Sequence, residues 1–135
     1  MKRTIITSLL LLVILATMVG CGSSEPEHQL SYIKSERITL FDEYDCIAVF
    51  TQYTNGSSES AIPADNLDVK AYQNGVELPP LVPTGEKTEG YIQCDASVQS
   101  GTTANVVWIF QLDDESTVSI EMPDGETKEV DLTQN

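Results

Sequence analysis

Basic residues are scarce in this chain. Seven Lys and Arg stand against 21 Asp and Glu, giving a formal net charge of −14, and there is one His. That balance argues against nucleic acid as a partner, since such binding rests on basic patches that displace counterions. It equally opposes wrapping onto anionic lipid headgroups. The bland consequence of so many acids is solubility and self-repulsion. Attraction of cations or of a basic partner is the sharper reading, and the even spread of the acids along the sequence disfavours it.

Catalytic parts are missing as well. The single His28 falls in a linker-like stretch, where it reads as solvated filler rather than as ligand or base. Gly-x-Ser-x-Gly is absent and no Ser-x-x-Lys stands in a helix, so nucleophilic catalysis lacks its base and orienting partner. Gly56, Gly75, Gly101 and Gly125 are isolated turn glycines rather than a phosphate loop. With no Cys-x-x-Cys and no nearby His, a metal site is poorly supported. Asp42, Glu43 and Asp45, and Asp113, Asp114 and Glu115, could in principle pair as hydrolase carboxylates or hold calcium. Both groups sit at expected turns, and the Asp-x-Asp-x-Asp-Gly spacing is missing. The expectation is a protein that is not an enzyme and has no metal or other cofactor; a weak calcium site is the alternative at these acids.

What is present begins with Lys2 and Arg3, followed by an almost unbroken apolar run from Ile5 to Val19. A positive start, an apolar core of this length and a small-residue site make a signal peptide. The run is short of the ~20 residues that a spanning helix needs. Met18-Val19-Gly20-Cys21 resembles the lipobox of bacterial lipoproteins. The resemblance implies thioether attachment of a diacylglyceride to Cys21, with further palmitate-type acylation, cleavage before that residue, and residence on the extracytoplasmic face of the cell membrane. Each buried methylene contributes about 0.8 kcal/mol, and two or more chains anchor stably where one does not. Processing would leave five Lys and Arg against 21 Asp and Glu, a formal charge of −16.

The remainder divides simply. Residues 1–20 are the signal peptide, and 21–31 the lipidated Cys and a flexible Gly/Ser/Glu/Pro tether reaching at most ~35 Å. Residues 32–132 form one β domain, and 133–135 a frayed end. Ile38 and Leu40 alternate with Arg37 and Thr39, the period of a half-buried strand. Cys46 to Thr54 is rich in β-branched and aromatic residues. Leu67, Val69 and Ala71 alternate up to Tyr72, and Asn74-Gly75 is a strong hairpin signal. Val76 to Leu78 ends at Pro79-Pro80, which places it at an edge. Leu81 to Gly90 reads as irregular loop, and Tyr91 to Cys94 as a brief strand. Ala104, Val106, Trp108, Phe110 and Leu112 fall on one face of the best strand, with Trp108 at the centre of the core. Val118, Ile120 and Met122 form the next inward stripe, and Thr127 to Leu132 closes the domain. Ile62 to Asn66 allows a single helical turn. About seven short strands joined by turn clusters predict an all-β antiparallel sandwich, with a barrel as the alternative.

The order of these pieces carries a resemblance. A strand ending Thr51-Gln52-Tyr53-Thr54-Asn55 leads to Asp68-Val69-Lys70-Ala71-Tyr72-Gln73-Asn74-Gly75-Val76-Glu77-Leu78, then Val98-Gln99-Ser100-Gly101 and the Trp108 strand. This resembles a family of Gram-positive lipoprotein domains of unknown function with an immunoglobulin-like sandwich, similar in fold to a mycobacterial immunoprotective extracellular antigen. It covers roughly Ile33 to Leu132 and is most specific at Tyr72-Gln73-Asn74-Gly75. Its motifs are structural, so it implies fold and location and no active residue.

Outside the cytoplasm an even pair of cysteines favours a bond. Cys46 and Cys94 are therefore expected to form a disulfide closing a loop of roughly 50 residues, worth about 4 kcal/mol; two separate thiols are the alternative. The expected function is a non-catalytic binding module of the cell envelope, held to the membrane by its lipid, monomeric, with an unidentified envelope protein as partner. A passive structural lipoprotein is the rival reading. Recognition tends to sit in the loops at the ends of a sandwich. The candidate loop is therefore Leu81, Val82, Pro83, Thr84, Gly85, Glu86 and Lys87, within the proline-bearing Pro79–Gly90 stretch.

Overall fold

The computed structural model describes residues 25–85 and 88–134. Met18, Val19, Gly20 and Cys21 lie outside the described residues, as do Glu86 and Lys87 of the candidate loop. The described chain runs β1 (His28–Leu40), β2 (Tyr44–Asn55), a short turn of helix α1 (Pro63–Asn66), β3 (Lys70–Gln73), β4 (Val76–Glu77), β5 (Pro80–Leu81), β6 (Ile92–Gln93), β7 (Thr103–Gln111), β8 (Val118–Glu121), β9 (Thr127–Val130) and a 3-10 turn (Leu132–Gln134). It is mostly strand, as the alternation implies.

β7 organises the larger sheet. On one side it pairs antiparallel with β2 from Cys46↔Gln111 to Thr54↔Thr103, and β2 pairs with β1. On its other side lie two short pieces: β5, antiparallel at Phe110 and Ile109, and β6, parallel at Val106 and Val107. The smaller sheet has the order β4-β3-β8-β9, antiparallel throughout. The sheets face each other without closing into a barrel. Between them pack Ile47, Val49, Tyr53, Val69, Ala71, Val106, Trp108, Phe110, Val118, Ile120 and Met122, matching the stripes read from the sequence. Trp108 is almost fully buried, and its Nε1–H donates to Thr51 Oγ1 at 3.0 Å.

Three features depart from expectation. The tether is shorter than 21–31, because β1 begins at His28. His28 Nδ1 is 2.8 Å from Tyr53 Oη and its ring stacks on that tyrosine, so it is part of the sheet rather than filler. Pro80-Leu81 is a strand rather than loop. It stands at the sheet edge, where the missing proline N–H leaves no gap in the ladder, while the Gln111 N–H reaches the Pro79 carbonyl at 3.0 Å. At the other terminus Thr133 and Gln134 are ordered by Asp131: its Oδ1 accepts from the Thr133 N–H at 2.9 Å, and Leu132 is buried.

The least visible device is a bulge at Ile33. The β1–β2 register shifts between Tyr32 and Lys34. Strand side chains alternate with period two, so one extra residue moves everything beyond it to the opposite face. Leu30 and Tyr32 therefore pack into the inter-sheet core, whereas Ile38 and Leu40 pack on the outer face of the larger sheet. β1 thus serves two cores with one alternating pattern.

Candidate functional site

That outer face is itself a second apolar layer. Leu40, Cys46, Ala48, Phe50, Val107 and Ile109 are buried there, with Ile38, Tyr44, Leu81 and Tyr91 packed against them. The signal for it is in the sequence: Cys46-Ile47-Ala48-Val49-Phe50 and Val106-Val107-Trp108-Ile109-Phe110 are continuous apolar runs, the mark of strands covered on both faces. Reading only the inward-facing half of each run misses it.

Part of the cover comes from the candidate loop and part from Tyr91 just beyond it. Leu81 packs on the outer cluster, Pro83 is buried, and Tyr91 sets its ring edge against Phe50 with centroids 4.7 Å apart. Lys34 Nζ lies 5.0 Å from the same Phe50 ring. Two apolar side chains of the loop, Leu81 and Pro83, are therefore engaged with the fold. Val82 is the exception, at 43% exposed.

Val82 meets a second unusual element. Phe41 and Asp42, at the β1–β2 turn, both have positive φ, 55° and 54°. Glu43 N–H donates to Leu40 O at 3.1 Å, closing a tight hairpin. Such turns prefer Asn-Gly, and a bulky residue in the left-handed region costs about 1–2 kcal/mol. The turn throws Phe41 outward, 52% exposed, edge-on to Tyr44 at 6.5 Å. Leu40, Phe41, Tyr44, Leu81, Val82, Pro83 and Thr84 line a cleft of about 340 Å³. It lies at the far end of β1 from His28, roughly 40 Å along a 13-residue strand. A smaller cavity of about 230 Å³ opens nearby at the β5–β6 edge and is lined by Leu67 and the buried Val69, Cys94, Trp108 and Phe110.

The two acidic groups come together at the same end. Leu112 N–H donates to Asp45 O at 2.9 Å, which sets Asp113–Glu115 beside the hairpin. Arg37 bridges them: Nε donates to Asp45 Oδ1 at 2.9 Å, and Nη1 and Nη2 to the Glu115 oxygens at 2.6 Å each. Hydrogen bonding to this guanidinium holds both carboxyls below the usual range. Asp114 is also held low, by Ser116, and Asn74 Nδ2 donates to it at 2.9 Å. Gln73 completes the clamp. Its Nε2 donates to the carbonyls of Asp114 (2.9 Å) and Ser116 (2.8 Å), and its Oε1 accepts from Asp113 N–H at 2.8 Å. This gives the Tyr72-Gln73-Asn74-Gly75 motif a physical role: it fixes the β7–β8 turn. Among the described residues no group of three or more His, Cys, Asp or Glu is placed to hold a metal ion.

A pH dependence follows from the Arg37 bridge. Asp45 and Glu115 titrate lower in the folded state, so they add stability that is fully present above the unfolded carboxyl range, about pH 4, and is lost as pH falls through their folded values. The difference in Tm between the native protein and Arg37→Met should be constant above about pH 5 and shrink toward zero below about pH 3. A pH-independent difference would show that Arg37 acts by packing alone.

Cys46 and Cys94 do not form the expected disulfide. Both are free and buried. Cys46 belongs to the outer cluster and Cys94 to the inter-sheet core, so they stand on opposite faces of the larger sheet with β7 between their strands. Burial pushes each thiol up to about 11, far from the thiolate needed for reaction at neutral pH. A thiol reagent at pH 7.5 should leave both untouched in the folded protein and modify both in denaturant without reductant; failure of the denatured chain to react would restore the disulfide.

The fold defines the class: a mostly β, unclosed two-sheet sandwich domain. The chain belongs to the family described as a domain of unknown function (DUF5067), whose model matches residues 24–124. Similar solved structures include one assigned as a lipoprotein from Staphylococcus aureus, with a TM-score of 0.62 at 11% identity, covering 80% of this chain and 86% of that one. Another, assigned as a lipoprotein from Bacillus subtilis, has a TM-score of 0.51 at 12% identity and covers 80% of this chain and 37% of that one. The chain thus spans little more than a third of the second protein. At these identities the likeness is one of fold, and it agrees with the Gram-positive lipoprotein family that the sequence resembles. No curated protein matches the chain.

Proposed function

We propose that the protein is a cell-envelope lipoprotein, anchored through a diacylglyceride on Cys21, whose sandwich is a non-catalytic binding module that engages its partner through the Phe41–Val82 cleft. The anchor rests on Met18-Val19-Gly20-Cys21 after an apolar run, and two fold neighbours assigned as lipoproteins support it. With six residues between Cys21 and His28, the start of β1 lies near the membrane and the cleft faces away from it. The observation that carries the binding reading is Phe41. An exposed aromatic ring held in a left-handed turn is costly for the fold, and strain of this kind persists where something else is gained.

Phe41→Asn tests it. Asn adopts the left-handed region readily, so this variant should fold and match or exceed the native protein in stability, by up to about 1 kcal/mol. It should also lose the partner that the native protein retains in detergent extracts of its own membranes. Undiminished recovery of that partner by Phe41→Asn would overturn the cleft as the binding site and favour the passive-spacer reading. Mass spectrometry of the mature N-terminus tests the anchor separately: an unacylated Cys21, or an uncleaved residue 1, would refute it.

A further inference from the structure

The cleft is apolar, but its surroundings are not. Asp42 and Glu43 are exposed on the turn that carries Phe41. Asp45, Asp113, Asp114 and Glu115 stand at the same end of the sandwich, gathered there by the Leu112–Asp45 hydrogen bond and the Arg37 bridge. Arg37 is the one basic residue described at this end, and it is already shared between Asp45 and Glu115. The remaining described lysines lie along the strands or at the opposite end, each beside its own carboxylate: Lys34 with Glu36, Lys70 with Asp68, Lys128 with Glu126. The acids are spread evenly in sequence, yet the fold gathers them around the cleft where Phe41 and Val82, two of the four large apolar side chains exposed among the described residues, stand together.

On that charge complementarity we infer that the cleft takes a cationic peptide segment, one that inserts an aliphatic or aromatic side chain between Phe41 and Val82 while flanking Lys or Arg residues face Asp42 and Glu43. This rests on the reading of the cleft as a binding site and adds the chemistry of what enters it. Apolar contact supplies the affinity, and the carboxylates supply orientation and rate of encounter. An acidic or neutral segment of the same shape would meet like charge or no attraction. The protein's net charge of −14 alone would attract basic peptides everywhere, so position decides the matter.

The probe is a synthetic peptide of about nine residues carrying a neutral fluorophore, with a central Leu-Trp pair between lysines. Its counterpart has glutamates in place of the lysines. Binding to the protein purified from its own cells in neutral detergent is read by anisotropy. The lysine peptide should bind at least about tenfold more tightly than the glutamate counterpart, and should weaken by a similar factor as salt rises from about 0.05 to 0.5 M. Asp42→Asn with Glu43→Gln should weaken it about fivefold, whereas Asp124→Asn with Glu126→Gln, at the other end, should not. Two results overturn the inference: equal binding of both peptides, or equal losses from both double variants. Absence of lysine-peptide binding, in protein whose cleft still retains a Phe41-dependent partner, overturns the cationic chemistry and leaves the binding module standing. Absence of both overturns both.

Discussion

Trp108→Ala is expected to destabilise the domain by about 3–5 kcal/mol, in the range for removing a large buried aromatic. The reason is its position. Trp108 is the sole tryptophan, almost fully buried on the inner face of β7 among side chains of both sheets. Its indole N–H is donated to Thr51 Oγ1, which itself donates to Val106 O at 3.0 Å. Truncation leaves a cavity where the sheets meet and removes a buried hydrogen bond. For a domain of this size the loss corresponds to a fall in Tm of roughly 12–20 °C, a large part of the 5–15 kcal/mol typical of whole domains. Trp108→Phe separates the contributions: the ring still fills most of the space, Thr51 keeps its bond to Val106, and the loss should be about 1–2 kcal/mol. If alanine costs less than about 1 kcal/mol, the two sheets are not packed over this residue.

Asn55→Ala is expected to cost about 2–4 kcal/mol through a different mechanism, loss of buried hydrogen bonds. Asn55 is fully buried at the end of β2. Its Nδ2 donates to Glu59 O at 2.8 Å and Val98 O at 2.9 Å, and its Oδ1 accepts from Ser57 N–H at 3.1 Å and Ser57 Oγ at 2.6 Å. One side chain therefore ties the 56–61 loop to the strand it leaves and to the chain at Val98. The Ala61↔Val98 bridge, with bonds of 2.9 and 2.8 Å, closes the same loop. Of these groups the Val98 carbonyl is buried and carries the largest desolvation cost when Asn55 is removed, while the Glu59 and Ser57 groups are only part-buried. Hydrogen exchange at Ser57 and Ala61 should accelerate well beyond the global change. Ser57→Ala, which removes only one of the side-chain partners, should cost about 1 kcal/mol or less. A uniform rise in exchange throughout the domain would mean that Asn55 acts on the core and not on the loop.

The inter-sheet core was legible from alternation alone. The Val106-Trp108-Phe110 and Val118-Ile120-Met122 stripes, the Asn74-Gly75 hairpin and the turn of helix near Pro63 all follow from local rules. Asn55 and Gln73 were not seen as structural, because a polar residue at a strand end reads the same whether it faces water or is buried with its partners. The bulge at Ile33 was invisible for a related reason: Leu30, Tyr32, Ile38 and Leu40 keep one parity in the sequence while occupying two faces in the fold. That inserted residue also bears on the site, since it turns the distal half of β1 toward the outer cluster and so brings Phe41 to the cleft. Cys46 and Cys94 failed as a disulfide because their even number and compartment say nothing about which face each occupies. The acidic pole was missed because an even spread along the chain hid a clustering that only the topology creates.

The most direct test of the account is a photocrosslinking residue placed at Val82 in living cells, compared with the same residue at Asp124 at the opposite end. The account predicts a discrete product from position 82 alone, saturable by expression and abolished by Phe41→Asn in a protein that remains folded. Equal labelling from both positions, or a product from 82 that persists in Phe41→Asn, would contradict it.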